Sequence, residues 1–208
     1  MQYCVPLAAR PRRNSILLAI AEHDNGWTEE DAAPIVHSAT GDVVDFINAP
    51  VRVRHAVWPR GIARLAHDPW AAALVAQHAM AVYDRFRAEA AWNSFFTEME
   101  ATRNVLLRES GMPIEDLVAE YAFVRLADLI SLTFCLGWTD EQRFGEWIIK
   151  GSSTRVVVAP DPFEGVSIPI EITAREISNK PYQSDAELRH ALGQADTVTL
   201  SGQVAGGP

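Results

Sequence analysis

The chain has 208 residues, of which 48% are hydrophobic and 22% are charged, a composition typical of a globular protein and unlike that of a disordered chain. The 27 acidic residues outnumber the 18 basic ones and give a net charge of −9, so a polyanionic partner such as a nucleic acid is repelled on average. The longest apolar-rich run, Tyr121 to Leu136, contains Arg125 and Asp128 and is too short to span a membrane.

Helix signals fill the first two thirds of the chain, beginning at Asn14 or Ser15. Either residue is expected to cap a short helix whose buried face ends at His23. Gly26, which can adopt the left-handed conformation, is expected to end that helix. The segment from Trp27 to Pro59 then loses its periodicity, which predicts either a loop that shapes a site or several short elements.

Longer helices follow. Asp68 is the predicted N-cap of a helix that runs to about Phe86. The next helix is expected over Asn93–Ser110, and another, apolar almost all round, from Pro113 to Leu136. A helix of that kind lies at the centre of a core. Residues 139–150 are expected to add one or two further helical turns.

The pattern changes after Gly151. Runs rich in Val, Ile and Thr predict short strands, a helix is predicted before the last strand, and the terminal Ala-Gly-Gly-Pro is expected to fray. The strands are placed at Arg155–Ala159, Ser167–Ala174 and Thr197–Leu200, and the helix at Ser184–Ala195. The fold class is therefore α+β: a mostly α-helical core, residues 14–150, with a short β-rich C-terminal segment, residues 151–208, packed on it as one domain, residues 1–208.

The first residues that could carry chemistry are His23 and Asp24. Imidazole nitrogen and carboxylate oxygen are both good ligands for a divalent ion, and a helix end can bring them together. A His-Asp dipeptide alone is a weak signal for a metal site, because the same dipeptide occurs at His67-Asp68, where the predicted role of Asp68 as a helix cap accounts for it. A satisfied histidine followed by a turn-forming Asp24 is the structural alternative.

His78 and Asp128 strengthen the case for a metal site. Each is predicted to lie on an apolar helix face, and a carboxylate buried there is costly unless something pairs with it. Arg125, three residues before Asp128, is the ordinary partner. The alternative to this ion pair is a metal site. His23, His78 and Asp128 belong to separate predicted helices, so their side chains can converge on one ion.

The remaining conspicuous residues are interpreted as structural. The tryptophans are expected to anchor core and loops, Cys135 to be buried, and three histidines to be exposed. Cys4 and Cys135 cannot form a disulfide framework and no secretory signal is indicated, so we expect a cytoplasmic protein. The tryptophans are Trp27, Trp58, Trp70, Trp92, Trp138 and Trp147, and the histidines are His37, His55 and His190.

The run Glu-His-Asp-Asn-Gly-Trp at residues 22–27 resembles a family of bacterial proteins called domain of unknown function 3891. The likeness continues through Asp31 to Pro34, Asp68-Pro69-Trp70, Asp128 to Leu132 and Pro160 to Phe163. It extends from about residue 14 to the end of the chain. The family brings no established activity.

A more distant resemblance is to the HD-domain metal-dependent phosphohydrolases, which makes the core of residues 14–150 HD-like. It implies that His23, Asp24 and Asp128 bind a divalent ion, with His78 as a further metal ligand or a phosphate contact and Asp24 also catalytic. The resemblance does not distinguish Mn, Mg, Fe and Zn. Those enzymes use a further, early His. Residues 1–21 contain no His, Asp or Glu, so we expect that the sequence begins late, through a misassigned start or a genuine truncation, and that the site lacks one ligand in either case.

Three classes of function follow. The first is a metal-dependent hydrolase of a small phosphoester, in which Arg125 and Arg60 bind the phosphate. The second is a degenerate relative that binds a small ligand without turnover. The third is a dimerising structural protein that uses edge strands and tryptophan-rich loops. A small-molecule substrate or ligand and a homodimer are thus the expected partners, without nucleic acid or membrane.

Overall fold

The computed structural model describes residues 1–208 and has an α+β fold, as the sequence predicted. A helical bundle makes up the first two thirds of the chain and a five-stranded sheet lies in the last third. The helices are α1 Val5–Ala8, α2 Arg13–Glu22, α3 Thr28–Ala32, α4 Val51–Arg64, α5 Pro69–Tyr83, α6 Asn93–Ser110, α7 Ile114–Cys135 and α8 Asp185–Gln194. The strands are β1 Gln142–Phe144, β2 Trp147–Gly151, β3 Arg155–Ala159, β4 Ile168–Arg175 and β5 Thr197–Gly206.

Helix α5 is the centre of the bundle. Its alanine-rich sequence leaves little side-chain bulk, and α2, α4, α6 and α7 all pack against it. Asp68 caps α5 as predicted, because its Oδ1 accepts a hydrogen bond from the Ala71 amide at 3.0 Å. Helix α6 ends at Gly111, whose φ of 69° is the left-handed conformation that a helix end of this kind requires.

The sheet packs against α7 through β1, β2 and β3. Its strand order is β1-β2-β3-β5-β4, and only the β3–β5 pair is parallel. Buried Val156, Val158 and Ile149 join the same core cluster as α5 and α7. No helix combines the length and the apolar character needed to cross a lipid bilayer.

The segment from Trp27 to Pro59 consists of several short elements rather than one loop. A 3₁₀ turn at Asn25–Trp27 leads into α3, and α4 begins at Val51. Helix α4 was not predicted from the sequence, because Pro59 and the charged residues hide the apolar face formed by Val57, Trp58 and Ile62.

Two helix-end predictions for α2 were wrong. The helix begins at Arg13 with no side-chain cap from Asn14 or Ser15. Gly26 lies in the 3₁₀ turn without a positive φ. A glycine is needed at this position because the turn packs closely on α4, and a Cβ on residue 26 would lie 2.0 Å from the Val57 carbonyl oxygen.

The region after α7 also differs from the predictions. Residues 139–150 form no helical turns; β1 and β2 make a hairpin in which Phe144 pairs with Trp147 around Gly145, whose φ is 58°. A glycine at the first turn position was the available signal. The chain end is not frayed as predicted, because β5 continues to Gly206, and its last two residues pair with Val157 and Val158 of β3.

Two side chains lie in environments other than those predicted. Cys135 is exposed, because an apolar periodicity buries a residue only where another element covers that turn of the helix. His55 is half-buried on α4 and stacks on the Phe95 ring at 5.0 Å, with Trp92 edge-on to it. The prediction that tryptophans anchor the core is confirmed for four of them, since Trp58, Trp70, Trp92 and Trp147 are buried.

Candidate metal centre

His23 lies at the C-terminal end of α2, where the chain turns toward α4. Its Nδ1 is 2.9 Å from the carbonyl oxygen of Ile20, and only a protonated Nδ1 can donate to that acceptor. Nε2 is therefore left facing two carboxylates, Asp24 Oδ2 at 3.1 Å and Asp128 Oδ1 at 3.7 Å. This ring orientation is the one that a histidine has when a backbone carbonyl holds it as an Nε2 ligand.

His78 is held on α5 in a fully buried position, with 1% of its surface exposed. Its Nδ1 makes a hydrogen bond of 3.1 Å with the Tyr121 hydroxyl of α7. Its Nε2 lies 3.9 Å from Asp128 Oδ2, and its ring stands edge-on to the His23 ring with the centroids 5.1 Å apart. Both imidazoles thus engage Nδ1 elsewhere and direct Nε2 to the same carboxylate.

Asp128 is the third member and comes from the middle of α7. Arg125 Nη1 donates to Asp128 Oδ2 at 2.6 Å, so the predicted ordinary partner is also in place. Oδ1 is the carboxylate oxygen that faces His23. The carboxylate is therefore shared between a guanidinium on one side and two imidazoles on the other.

The electrostatics of this cluster favour a positive charge on His23 and a neutral ring at His78. Burial alone lowers the pKa of His23, but the carboxylates of Asp128 and Asp24 outweigh it and raise the pKa to about 10. Burial lowers the pKa of His78 to about 4, so this ring is neutral at physiological pH. Burial alone raises the pKa of Asp128, but His23, His78 and Arg125 together bring it below its ordinary value. Carboxylates that keep a proton on His23 also attract a cation in its place.

The donor set has the chemistry of a divalent-ion site. Ligand atoms of His23, His78 and Asp128 lie within 4.8 Å of one another, whereas donors on a single ion are about 3–4 Å apart, given metal–ligand bonds of about 2.0–2.2 Å, so binding of one ion draws these side chains together by about 1 Å. Imidazole nitrogen with carboxylate oxygen suits Zn, Fe and Mn. Asp24 lies against His23 but outside this group of three, with its side chain 65% exposed.

The two arginines predicted to bind phosphate lie in different environments. Arg125 is at the cluster, with 27% of its side chain exposed. Arg60 binds the Gly26 carbonyl oxygen through Nε at 3.0 Å and forms ion pairs with Glu29 and Glu30. Its guanidinium therefore fastens the 3₁₀ turn and α3 to α4.

Two residues that surround the cluster were not predicted from the sequence to belong to it. Tyr121 shares a helix face with Asp128, seven residues away, so its contact with His78 could have been inferred from that spacing. Trp58 packs edge-on to His78 with the ring centroids 5.7 Å apart. It belongs to α4, which the sequence pattern did not predict.

The comparisons with known proteins give one match. A family model described as "Protein of unknown function (DUF3891)" matches residues 5–179, which is most of the chain. Neither a curated protein nor a solved structure matches the chain.

Proposed function

The chain belongs to the DUF3891 family of proteins of unknown function, and we propose that it is a divalent-metal-dependent hydrolase that acts on a small phosphoester. The observation that carries the proposal is the convergence of His23, His78 and Asp128 from α2, α5 and α7 with their ligand atoms within 4.8 Å of one another. The His-Asp pair, the buried histidine and the later aspartate make this set similar to that of HD-domain phosphohydrolases.

The residues that hold the ion are His23, His78 and Asp128, and Asp24 lies on their solvent side. When bound, a divalent ion supplies Lewis-acid chemistry, polarising a phosphoryl oxygen and lowering the pKa of water. With two nitrogen donors, a transition metal suits the set better than Mg²⁺, which prefers oxygen and water ligands.

The chain's own side chains divide the remaining work. Arg125 is positioned by Asp128 and is open to solvent on one side, so its remaining donors can bind a phosphate oxygen. Asp24 accepts a proton from water as it attacks. The oxygen of water bonds to phosphorus, the ester P–O bond breaks, and a proton passes to the alcohol that leaves.

Elemental analysis of the purified protein tests the metal centre. We expect near-stoichiometric metal in the natural chain and its loss in His23→Ala and in Asp128→Asn. His67→Ala is the matched control, because His67 is followed by an aspartate like His23 but is exposed on another helix end. Its metal content should stay unchanged.

Hydrolysis of p-nitrophenyl phosphate and of its bis-ester with added Mn²⁺ tests the activity. Turnover should fall by about 10³-fold or more in His23→Ala and stay unchanged in His67→Ala. Equal rates in the natural chain and in His23→Ala contradict the hydrolase. Metal binding without turnover supports the alternative of a ligand-binding relative, and no metal in any protein leaves the cluster as a buried ion-pair network.

A further inference from the structure

An apolar pocket of about 270 Å³ lies between α2, α7 and the sheet. Eleven residues line it and ten of them are hydrophobic. Ile168, Ile170 and Ile172 form one wall, since alternate residues of β4 point to the same face. The opposite wall comes from α2 and α7, and its one polar group is the Ser131 hydroxyl.

The pocket shares two helices with the candidate metal centre. Ile20 lines the pocket, and its carbonyl oxygen accepts the hydrogen bond that orients His23. On α7, Ala127 and Ser131 line the pocket, one position before and three positions after Asp128. Residues three or four apart on a helix are about 5–6 Å apart at Cβ. The pocket therefore begins within one helical turn of the metal ligands on both α2 and α7.

We propose that this pocket receives the apolar group of the phosphoester, so that the substrate is a phosphate ester of an aryl or short branched-chain alcohol. The inference rests on the proposed function of the neighbouring cluster. Charged side chains of the site are Arg125 and the carboxylates, whereas the side chains that line the pocket offer a phosphate no charged group and only one hydroxyl. The two regions together bind an amphiphilic ester, with its phosphate at the cluster and its apolar part in the pocket against β4.

The volume sets the size of that group. An apolar cavity of about 150 Å³ takes up a benzene molecule, so 270 Å³ accommodates a group of roughly ten carbon atoms by the same scale. A naphthyl group has this size, a phenyl group fills part of the pocket, and a methyl group leaves it empty.

Binding of three non-hydrolysable analogues tests the inference without any need for turnover. Methylphosphonate, phenylphosphonate and 1-naphthylphosphonate are titrated by calorimetry into the full chain, with and without Mn²⁺. With Mn²⁺ the naphthyl compound should bind at least about a hundredfold more tightly than the methyl compound, since burial of each carbon adds affinity. The phenyl compound should lie between them.

Two variants separate the pocket from general effects on the protein. Ile170→Phe fills the pocket and should reduce the naphthyl-to-methyl preference about tenfold or more. Thr173→Phe adds similar bulk to the exposed face of the same strand and should leave the preference unchanged. The analogue series on the natural chain stands even if Ile170→Phe does not fold.

The outcomes distinguish this inference from the proposed function. Equal affinity for the three analogues in a protein that holds Mn²⁺ overturns the pocket assignment alone. Tight naphthyl binding that persists undiminished without Mn²⁺ and in His23→Ala also overturns it, because the pocket is then unconnected to the cluster. A chain that binds no metal overturns both.

Discussion

The contact between the turn after His23 and helix α4 makes a sharp prediction about stability. A Cβ added at Gly26 would lie 2.0 Å from the carbonyl oxygen of Val57 and 2.8 Å from its carbonyl carbon. Both are backbone atoms of α4, so no side-chain rotation relieves the overlap and the turn has to move away from the helix. Overpacking of a well-packed site costs about 1–3 kcal/mol and occasionally more. We expect Gly26→Ala to lower the free energy of unfolding by about 3 kcal/mol.

A graded series of glycine variants supplies the controls, measured by urea denaturation. At Gly61 the nearest contact is the Asn25 side-chain oxygen at 2.6 Å, which can rotate, so Gly61→Ala should cost less than Gly26→Ala. Gly193 lies in α8 with nothing within 4 Å, so Gly193→Ala should raise the free energy of unfolding by up to about 1 kcal/mol. A Gly26→Ala protein within about 0.5 kcal/mol of the natural chain, the scatter expected of a surface substitution, refutes the packing of the turn on α4.

The remaining predictions concern three other side chains. Glu120 is buried and accepts hydrogen bonds from Trp70 Nε1 at 2.7 Å and Arg12 Nη2 at 2.8 Å. In urea denaturation, Glu120→Ala should lower the free energy of unfolding by about 3 kcal/mol or more, whereas removal of Asp116, the half-buried second partner of Arg12, should lower it by less than about 1 kcal/mol. Equal costs of the two substitutions argue against the buried network. Burial lowers the pKa of His55, so the contribution of the neutral ring to stability is complete above the unfolded-state pKa of about 6.5 and falls as the pH drops below it. Between neutral and acid pH, the melting temperature of His55→Phe should therefore fall by less than that of the natural chain. An identical fall in melting temperature contradicts a lowered pKa of His55. Tyr121→Phe removes the hydroxyl that holds His78 and should weaken Mn²⁺ binding by about tenfold or more, measured by competition with a chelator; unchanged affinity excludes a positioning role.

Much of the helical core could be predicted from the sequence because its signals are local. The cap at Asp68 and the terminator at Gly111 act within one turn of the chain, and the predicted Asn93–Ser110 helix has the observed bounds. The burial of His78 and Asp128 also followed from their apolar neighbours at helical spacing.

The parts that escaped prediction depend on partners distant in the chain. Helix α4 carries Pro59 and several arginines, and it is stabilised by packing on the 3₁₀ turn and α5 rather than by its own pattern. The final Ala-Gly-Gly-Pro was predicted to fray, yet Ala205 and Gly206 belong to β5 and pair with Val157 and Val158 of β3. For the candidate site, periodicity indicated which side chains point inward but not that three helix faces meet.

The two His-Asp dipeptides show why local letters alone could not locate the site. At 67–68 the pair precedes α5. The Asp68 carboxylate accepts a hydrogen bond from the Ala71 amide at the positive end of the helix, and His67 is exposed. At 23–24 the pair follows α2, where the carbonyl end of a helix favours a positively charged imidazole and the Ile20 oxygen fixes its ring. The Asp24 side chain makes no capping hydrogen bond to the 3₁₀ turn that follows it and lies 3.1 Å from His23 Nε2 instead. The same two residues therefore serve as a cap at one helix end and as a candidate ligand pair at the other.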